Sequence, residues 1–283
     1  MRQNPVLLRT IAALAVAAVL AGTYVYCASE WMLRRHYDAP LVALHAGPAD
    51  LAAGQHLARV IGCWNGCHGG AGEGGDESLE GLRTVIAPTL THVVPQYTDE
   101  ELVRLIRYGV KRDGTSAIGM IAPTFWPLGD QDLANLIAHL RAQPPLPPIR
   151  RYRKITFRGR VGLLRGEWKL SADAVDRSIP RWGELPLNTS FERGRYLASI
   201  TCSECHGLDF RGYALEGGPS LVILAAYSPE QFRTLLKTGK PLDGRSIPKM
   251  SWMPAAEFSD PEIADLYRFL REYHGLPAAG ASP

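Results

Sequence analysis

The sequence predicts an all-α protein, with two tandem helical domains after one N-terminal transmembrane helix. Three observations predict it. A run of 20 uncharged residues, Thr10–Ser29, lies close to the N-terminus. The rest of the chain contains amphipathic segments of helical period, each opened by capping residues. Those segments form two sets that recur in the same order around two Cys/His clusters.

The length, 283 residues, suits about two domains. A composition of 46% hydrophobic and 21% charged residues is ordinary for a globular chain and excludes wide disorder. The predicted divisions are 1–33, a membrane anchor or signal; 34–49, a tether; 50–143, the first domain; 144–190, a Pro/Arg-rich connector; 191–275, the second domain; and 276–283, a flexible tail.

As a helix, Thr10–Ser29 spans about 30 Å, the thickness of a hydrocarbon core. Tyr24, Tyr26 and Trp31 sit at one end as interfacial aromatics do. A cleaved signal peptide needs small residues at its cut site. Tyr26 disturbs the best position, after Ala28, and Val25-Tyr26 before Cys27 exclude a small-residue triplet there. An uncleaved anchor is therefore favoured over a cleaved signal. Arg2 and Arg9 on one side and Arg34 and Arg35 on the other leave the orientation open.

Cys202-Ser203-Glu204-Cys205-His206 has the spacing of a covalent c-type haem site. Two thiols one short turn apart can each form a thioether at one edge of a porphyrin. The next side chain, an imidazole, can rise to the iron. Upstream lies an altered copy, Cys63-Trp64-Asn65-Gly66-Cys67-His68, with three residues between the cysteines. Gly66 can absorb the extra residue without steric cost.

The surroundings of the two clusters match. Gly54-Gln55-His56-Leu57-Ala58 precedes the first and Gly194-Arg195-Tyr196-Leu197-Ala198 the second. Ala87-Pro88-Thr89-Leu90 follows the first and Gly218-Pro219-Ser220-Leu221 the second. Capping boxes then open a helix in each half, at Thr98/Glu101 and Ser228/Gln231, with Pro229 at a first helical position where its missing N–H costs nothing. A last helix closes each half, Asp130–Arg141 and Asp260–Arg271. A repeat of roughly 85 to 90 residues signals duplicated domains and not a solenoid.

These residues resemble class I c-type cytochrome domains, arranged as in the small dihaem cytochromes that serve dehydrogenases. The likeness covers about Leu51–Gln143 and Phe191–Gly275. It implies a short helical bundle around each of two covalently bound haem c groups, with an N-terminal helix leading into the motif and a C-terminal helix packed across it. It implies iron ligation by His68 and His206, attachment through Cys63, Cys67, Cys202 and Cys205, and a Pro carbonyl accepting each His N–H, for which Pro88 and Pro219 are positioned. It also implies a Met as second axial ligand. Met120 is the candidate in the first domain. In the second, Met250 precedes Asp260 by the ten positions that separate Met120 from Asp130. Met253, followed by Pro254, stays open as the alternative. Ile121 and Ser251 stand where the family often has that proline. His/Met ligation fills both axial positions, and thioether ligation raises the potential. As the family attaches haem outside the bacterial cytoplasm, the resemblance also places the cytochrome domains in the periplasm, held at the inner membrane.

Charge is uneven behind the net +3: residues 1–49 carry +2, 50–142 carry −4, 143–190 carry +6 and 191–283 carry −1. The connector opens on Pro144-Pro145-Leu146-Pro147-Pro148, stiff and extended, and continues through Arg150, Arg151, Arg153, Lys154, Arg158, Arg160 and Arg165. Nucleic acid is excluded as a partner for an exported haem protein. A solvated linker packed on both domains, pairing with haem propionates or the acidic first domain, and contact with anionic lipid are the open uses of this charge. Ile155, Phe157, Val161, Leu163 and Leu164 mark a short strand or helix that packs.

Of five cysteines, the two motifs use four, and Cys27 in the apolar run is inert. His139, which aligns with Phe269, and His56, which aligns with Tyr196, are expected as packing residues, and His92 as a loop residue. The glycines between Gly69 and Gly75 are expected to form a flexible loop. Zinc is disfavoured because each cluster supplies three ligands and nothing nearby completes four. Paired catalytic carboxylates, a Ser-His-Asp set and a phosphate-cradling loop are missing from the sequence. The expected function is electron transfer in a respiratory chain, from a periplasmic dehydrogenase to an oxidase or a further cytochrome, without enzymatic turnover. A dihaem peroxidase or sulfur-compound oxidase, with one displaceable axial ligand, is the alternative, and a haem-based sensor or maturation factor is a second.

Overall fold

Local capping sets the ends of most of the helices that build this chain. The computed structural model describes residues 5–64, 66–149, 152–212, 218–245, 247 and 254–276. Met250, Met253, Asn65, Arg2, Arg150, Arg151 and the tail from residue 277 lie outside them. The main helices are α1 (Pro5–Arg34), α2 (Leu51–Val60), α3 (Asp99–Tyr108), α4 (Asp130–Arg141), α5 (Phe157–Leu164), α6 (Ser190–Ile200), α7 (Pro229–Thr238) and α8 (Asp260–Tyr273). The all-α expectation holds for the fold class. The Asp50 carboxylate caps α2 by accepting the Ala52 and Ala53 N–H groups. Reciprocal capping boxes open α3, α6, α7 and α8, at Thr98/Glu101, Thr189/Glu192, Ser228/Gln231 and Ser259/Glu262. Each box satisfies two end groups that a helix leaves unpaired.

Each half is organised by one close helix crossing. In the first, α2 crosses α4 at Gly54, where an added Cβ would stand 2.1 Å from the Asn135 carbonyl oxygen. In the second, α6 crosses α8 at Gly194, where an added Cβ would stand 2.0 Å from the Asp265 carbonyl oxygen. The neighbours also correspond: the His139 Cβ lies against Gly54 and the Phe269 Cβ against Gly194. Only hydrogen fits between these backbones, so both helix pairs lock at one point.

The halves share one continuous apolar core, in which Leu102, Leu133 and Leu136 belong with Leu224, Leu266 and Leu270. Polar contacts across the interface are reciprocal. Tyr196 on α6 donates to Asp132 Oδ2 at 2.5 Å, while His56 on α2 lies 2.8 Å from Glu262 Oε1. Tyr196 aligns with His56, and Asp132 with Glu262, each being the third residue of its helix. Burial, together with the Asp132 charge, raises the Tyr196 phenol well above its usual pKa. His56 thus departs from the packing role expected of it. It is partly exposed and ties the halves together, because its equivalent position faces the other half and not a core.

A small antiparallel sheet joins the first half to the connector: β1 (Gly75–Asp76), β2 (Arg83–Ala87) and β3 (Arg153–Ile155), in the order β1-β2-β3. Gly75 pairs with Ala87, and Arg83 with Ile155. The glycine segment is tied down, in contrast to the flexible loop expected. Its Glu73 carboxylate accepts the Gly70 and Ala71 N–H groups at 3.2 and 2.7 Å, and its end enters the sheet. The connector then forms α5 and packs on the base of α1. Leu33 of α1 is buried with Leu82, Leu163, Trp168 and Leu170. Arg160 binds Ser29 Oγ at 2.8 Å and Glu30 Oε1 at 2.7 Å.

One buried charge pair ties the first half to the tether and the connector. Arg107 on α3, 1% exposed, donates to Leu128 O and to Asp130 Oδ1, both at 2.7 Å. Asp130 also accepts the His45 N–H at 2.8 Å and Arg181 at 3.2 Å. Burial acts to raise its pKa, but the His45 N–H and Arg107 outweigh burial and lower it to about 2. Without a side-chain cap, α4 has its first N–H held by Glu184 Oε1 at 2.5 Å.

Two predictions follow from these contacts. Gly54→Ala and Gly194→Ala push a methyl group into a backbone carbonyl. Each is expected to cost about 1–3 kcal/mol net, measured by thermal or urea unfolding; an unchanged or higher midpoint would refute the crossing. Asp130 has a lower pKa folded than unfolded, so its contribution is complete above about pH 4 and is lost as pH falls toward 2. Asp130→Asn should flatten that acid limb of the stability curve. At neutral pH it should destabilise by about 3 kcal/mol, because the buried Arg107 loses its nearest carboxylate.

Candidate functional site: two Cys/His centres

Both clusters sit directly after a crossing helix, so the crossing aims them at the core. In the second half, Cys202, Cys205, His206 and Pro219 all line one cavity of about 370 Å³. Its walls are apolar, with Leu221, Leu224, Phe232, Leu235, Phe258 and Leu270 among them. Glu204, Asp243 and Arg245 are polar residues on its lining. The His206 Nδ1–H donates to the Pro219 carbonyl at 2.7 Å. A carbonyl only accepts, so Nδ1 carries the proton and the Nε2 lone pair stays free for a metal. Burial lowers the His206 pKa and keeps the ring neutral. A flat, mostly apolar group with two thioether points and one imidazole ligand fits this cavity.

The first half repeats the ligand geometry. The His68 Nδ1–H donates to the Pro88 carbonyl at 2.8 Å, and burial lowers the pKa of His68. The longer spacing closes tightly: an added Cβ at Gly66 would stand 2.5 Å from the Gly62 carbonyl oxygen. The loop therefore needs glycine there. Trp64, within the motif, is buried and donates its Nε1–H to His139 Nε2 at 3.1 Å. His139 is thus a buried hydrogen-bond acceptor as well as a packing residue. Met120 is partly buried against the shared core, and its carbonyl accepts from Ser171 Oγ at 2.6 Å. Met250 and Met253 fall outside the described residues.

Burial raises the pKa of three motif thiols, Cys63, Cys67 and Cys202. Burial pushes Cys63 to about 12 and Cys202 to about 11. Burial also raises Cys67, aided by the charges of Glu77 and Glu204. Among the described residues no cluster of three or more His, Cys, Asp and Glu side chains is arranged to hold a metal ion. His92 is exposed on the surface, where it takes no part in either centre.

The two centres are close. Glu204 belongs to the second motif, yet its charge is felt at Cys67 of the first. Val60 and Ile61, at the end of α2, line the cavity of the second half. Nothing in the sequence marks this sharing, since both residues look like ordinary core positions of the first half. Cys27 is exposed on α1, away from either centre.

Comparison with known proteins agrees with this geometry. Residues 189–270 match the family model described as cytochrome C oxidase, cbb3-type, subunit III. A cytochrome c domain therefore lies in the second half, and such a domain implies covalently bound haem c. The chain is 27% identical over 202 residues to the cytochrome c subunit of the quinone alcohol dehydrogenase of Gluconobacter oxydans, covering 62% of this chain and 40% of that protein. It is 26% identical over 231 residues to the fructose dehydrogenase cytochrome subunit of Gluconobacter japonicus, covering 70% and 45%. It is 25% identical over 243 residues to the alcohol dehydrogenase cytochrome c subunit of Gluconacetobacter polyoxogenes, covering 80% and 48%. The chain spans less than half the length of these curated relatives.

Proposed function

We propose that the chain is a membrane-anchored dihaem c-type cytochrome that transfers electrons and turns over no substrate of its own. The observation that carries this is the second centre. Cys202, Cys205 and His206 line an apolar cavity inside the residues that match a cytochrome c family. The first centre, with the same His-to-Pro-carbonyl bond behind an equivalent helix crossing, supports a second haem. On this reading residues 50–143 and 191–275 are tandem cytochrome c domains.

The roles of the chain's own residues then follow. Cys63, Cys67, Cys202 and Cys205 tether the two groups. His68 and His206 present Nε2 to the iron, with Pro88 and Pro219 fixing the tautomer. Met120 and Met250, with Met253 as the alternative to Met250, would supply the second ligand to each iron. The apolar walls exclude water and disfavour the more charged oxidised state, which raises the potential. Bound haem supplies reversible one-electron chemistry, and the protein supplies binding, spacing and electrostatics.

The helix α1 is long and apolar enough to cross a membrane, and its apolar stretch is not buried in the protein. We take it as an inner-membrane anchor with both cytochrome domains on the periplasmic side. Its packing on the connector through Arg160 supports retention of α1 in the mature protein. The donor on this reading is a dehydrogenase, as the similarity to dehydrogenase cytochrome subunits supports, and the acceptor is an oxidase or another cytochrome of the respiratory chain. Anchoring raises the effective concentration of the domains near membrane partners.

Carbon monoxide tests the closed coordination that a carrier requires. The reduced wild-type protein is expected to leave its visible spectrum unchanged under carbon monoxide. Met120→Ala should open one iron and give a carbon monoxide difference spectrum of about half the haem content. Ready binding by the wild-type protein would overturn the carrier and favour a dihaem enzyme.

A further inference from the structure

The connector helix α5 presents its apolar side the wrong way for a purely soluble domain. Gly159, Gly162 and Leu163 are buried toward the protein. At 100° per residue the opposite side of α5 carries Phe157, Val161 and Leu164. Phe157 is 62% exposed, and Val161 and Leu164 are incompletely covered. Arg158 and Arg165, both exposed, flank this stripe. Next to it in sequence, Tyr152, Arg153 and Lys154 are exposed too.

The position of α5 explains the pattern. Arg160, on the edge of the same face, binds Ser29 and Glu30 of α1, and its guanidinium lies 4.3 Å over the Tyr26 ring. Tyr26, Ser29 and Glu30 mark the end of the uncharged run, the level at which a membrane-crossing α1 leaves the hydrocarbon. A helix fixed there, with apolar side chains outward and arginines beside them, has the make-up of an interfacial helix. The excess positive charge of the connector complements phosphate-bearing lipid.

We propose that α5 and the exposed Tyr152–Lys154 segment form a membrane-surface foot, with Phe157 entering the interface and Arg153, Lys154, Arg158 and Arg165 facing anionic phospholipid headgroups. The foot rests on the reading of α1 as an anchor. Its effect is to fix the tilt of the two Cys/His halves over the bilayer, where a single helix alone leaves them free to swing.

Spin labels placed singly on the full holoprotein test it. Cys27→Ser removes the exposed thiol, and Phe157→Cys or Leu14→Cys supplies one label site in bilayer discs of mixed phosphatidylglycerol and phosphatidylcholine. The Leu14 label is expected to collide with oxygen and to be shielded from a water-soluble nickel chelate. The Phe157 label should also collide more with oxygen than with nickel. Arg158→Gln combined with Arg165→Gln should raise nickel collisions at 157 severalfold in the anionic discs. A water-exposed label at 157 beside a shielded label at 14 overturns the foot and leaves the anchor intact. A water-exposed label at 14 overturns both. Nickel collisions at 157 that ignore the arginine substitutions overturn the role given to anionic headgroups.

Discussion

The structure depends on two helix crossings so close that only glycine can stand at them. Gly54 against the Asn135 carbonyl and Gly194 against the Asp265 carbonyl fix where α2 and α6 point. Each Cys/His cluster starts within two or three residues of the end of its helix, so the same constraint aims the thiols and the imidazole inward. The Pro carbonyl that fixes each imidazole is brought up from the chain that follows. Each imidazole is thereby held in one tautomer and one orientation.

The same geometry joins the halves. The His56–Glu262 and Tyr196–Asp132 pairs occupy equivalent positions and cross the interface in opposite directions. This is the reciprocal arrangement of an isologous contact, here inside one chain. It turns the ends of α2 and α6 toward one another, so Val60 and Ile61 help wall the second cavity. Whatever group the second centre holds is shielded in part by the first half. The two centres are thus coupled through packing as well as proximity.

Much of this was legible in the sequence, where the cause was local. The capping boxes at Thr98, Ser228 and Ser259, the last of which starts α8, follow from residues within one turn. The His-to-proline pairing follows from a repeat that keeps its landmarks in register. The sheet was not legible, because β1 has two residues and β2 finds its second partner about 70 residues downstream, past the whole of α4. Nor was the buried Arg107–Asp130 pair, since neither residue differs in sequence from a solvated charge. The bridging role of His56 has no local sign either: its partner Glu262 lies 206 residues away. The apolar residues of the connector mark it as a packing segment, but not that it packs on the end of α1 through Arg160.

Intact mass combined with a pyridine haemochrome assay tests the central claim most directly, on chain made in a host that attaches c-type haem. The account predicts a mass increase of two haems per chain, falling to one when Cys63 and Cys67 are both replaced by Ala. One haem per wild-type chain would reduce the first half to a structural support, and a colourless protein would contradict the account altogether.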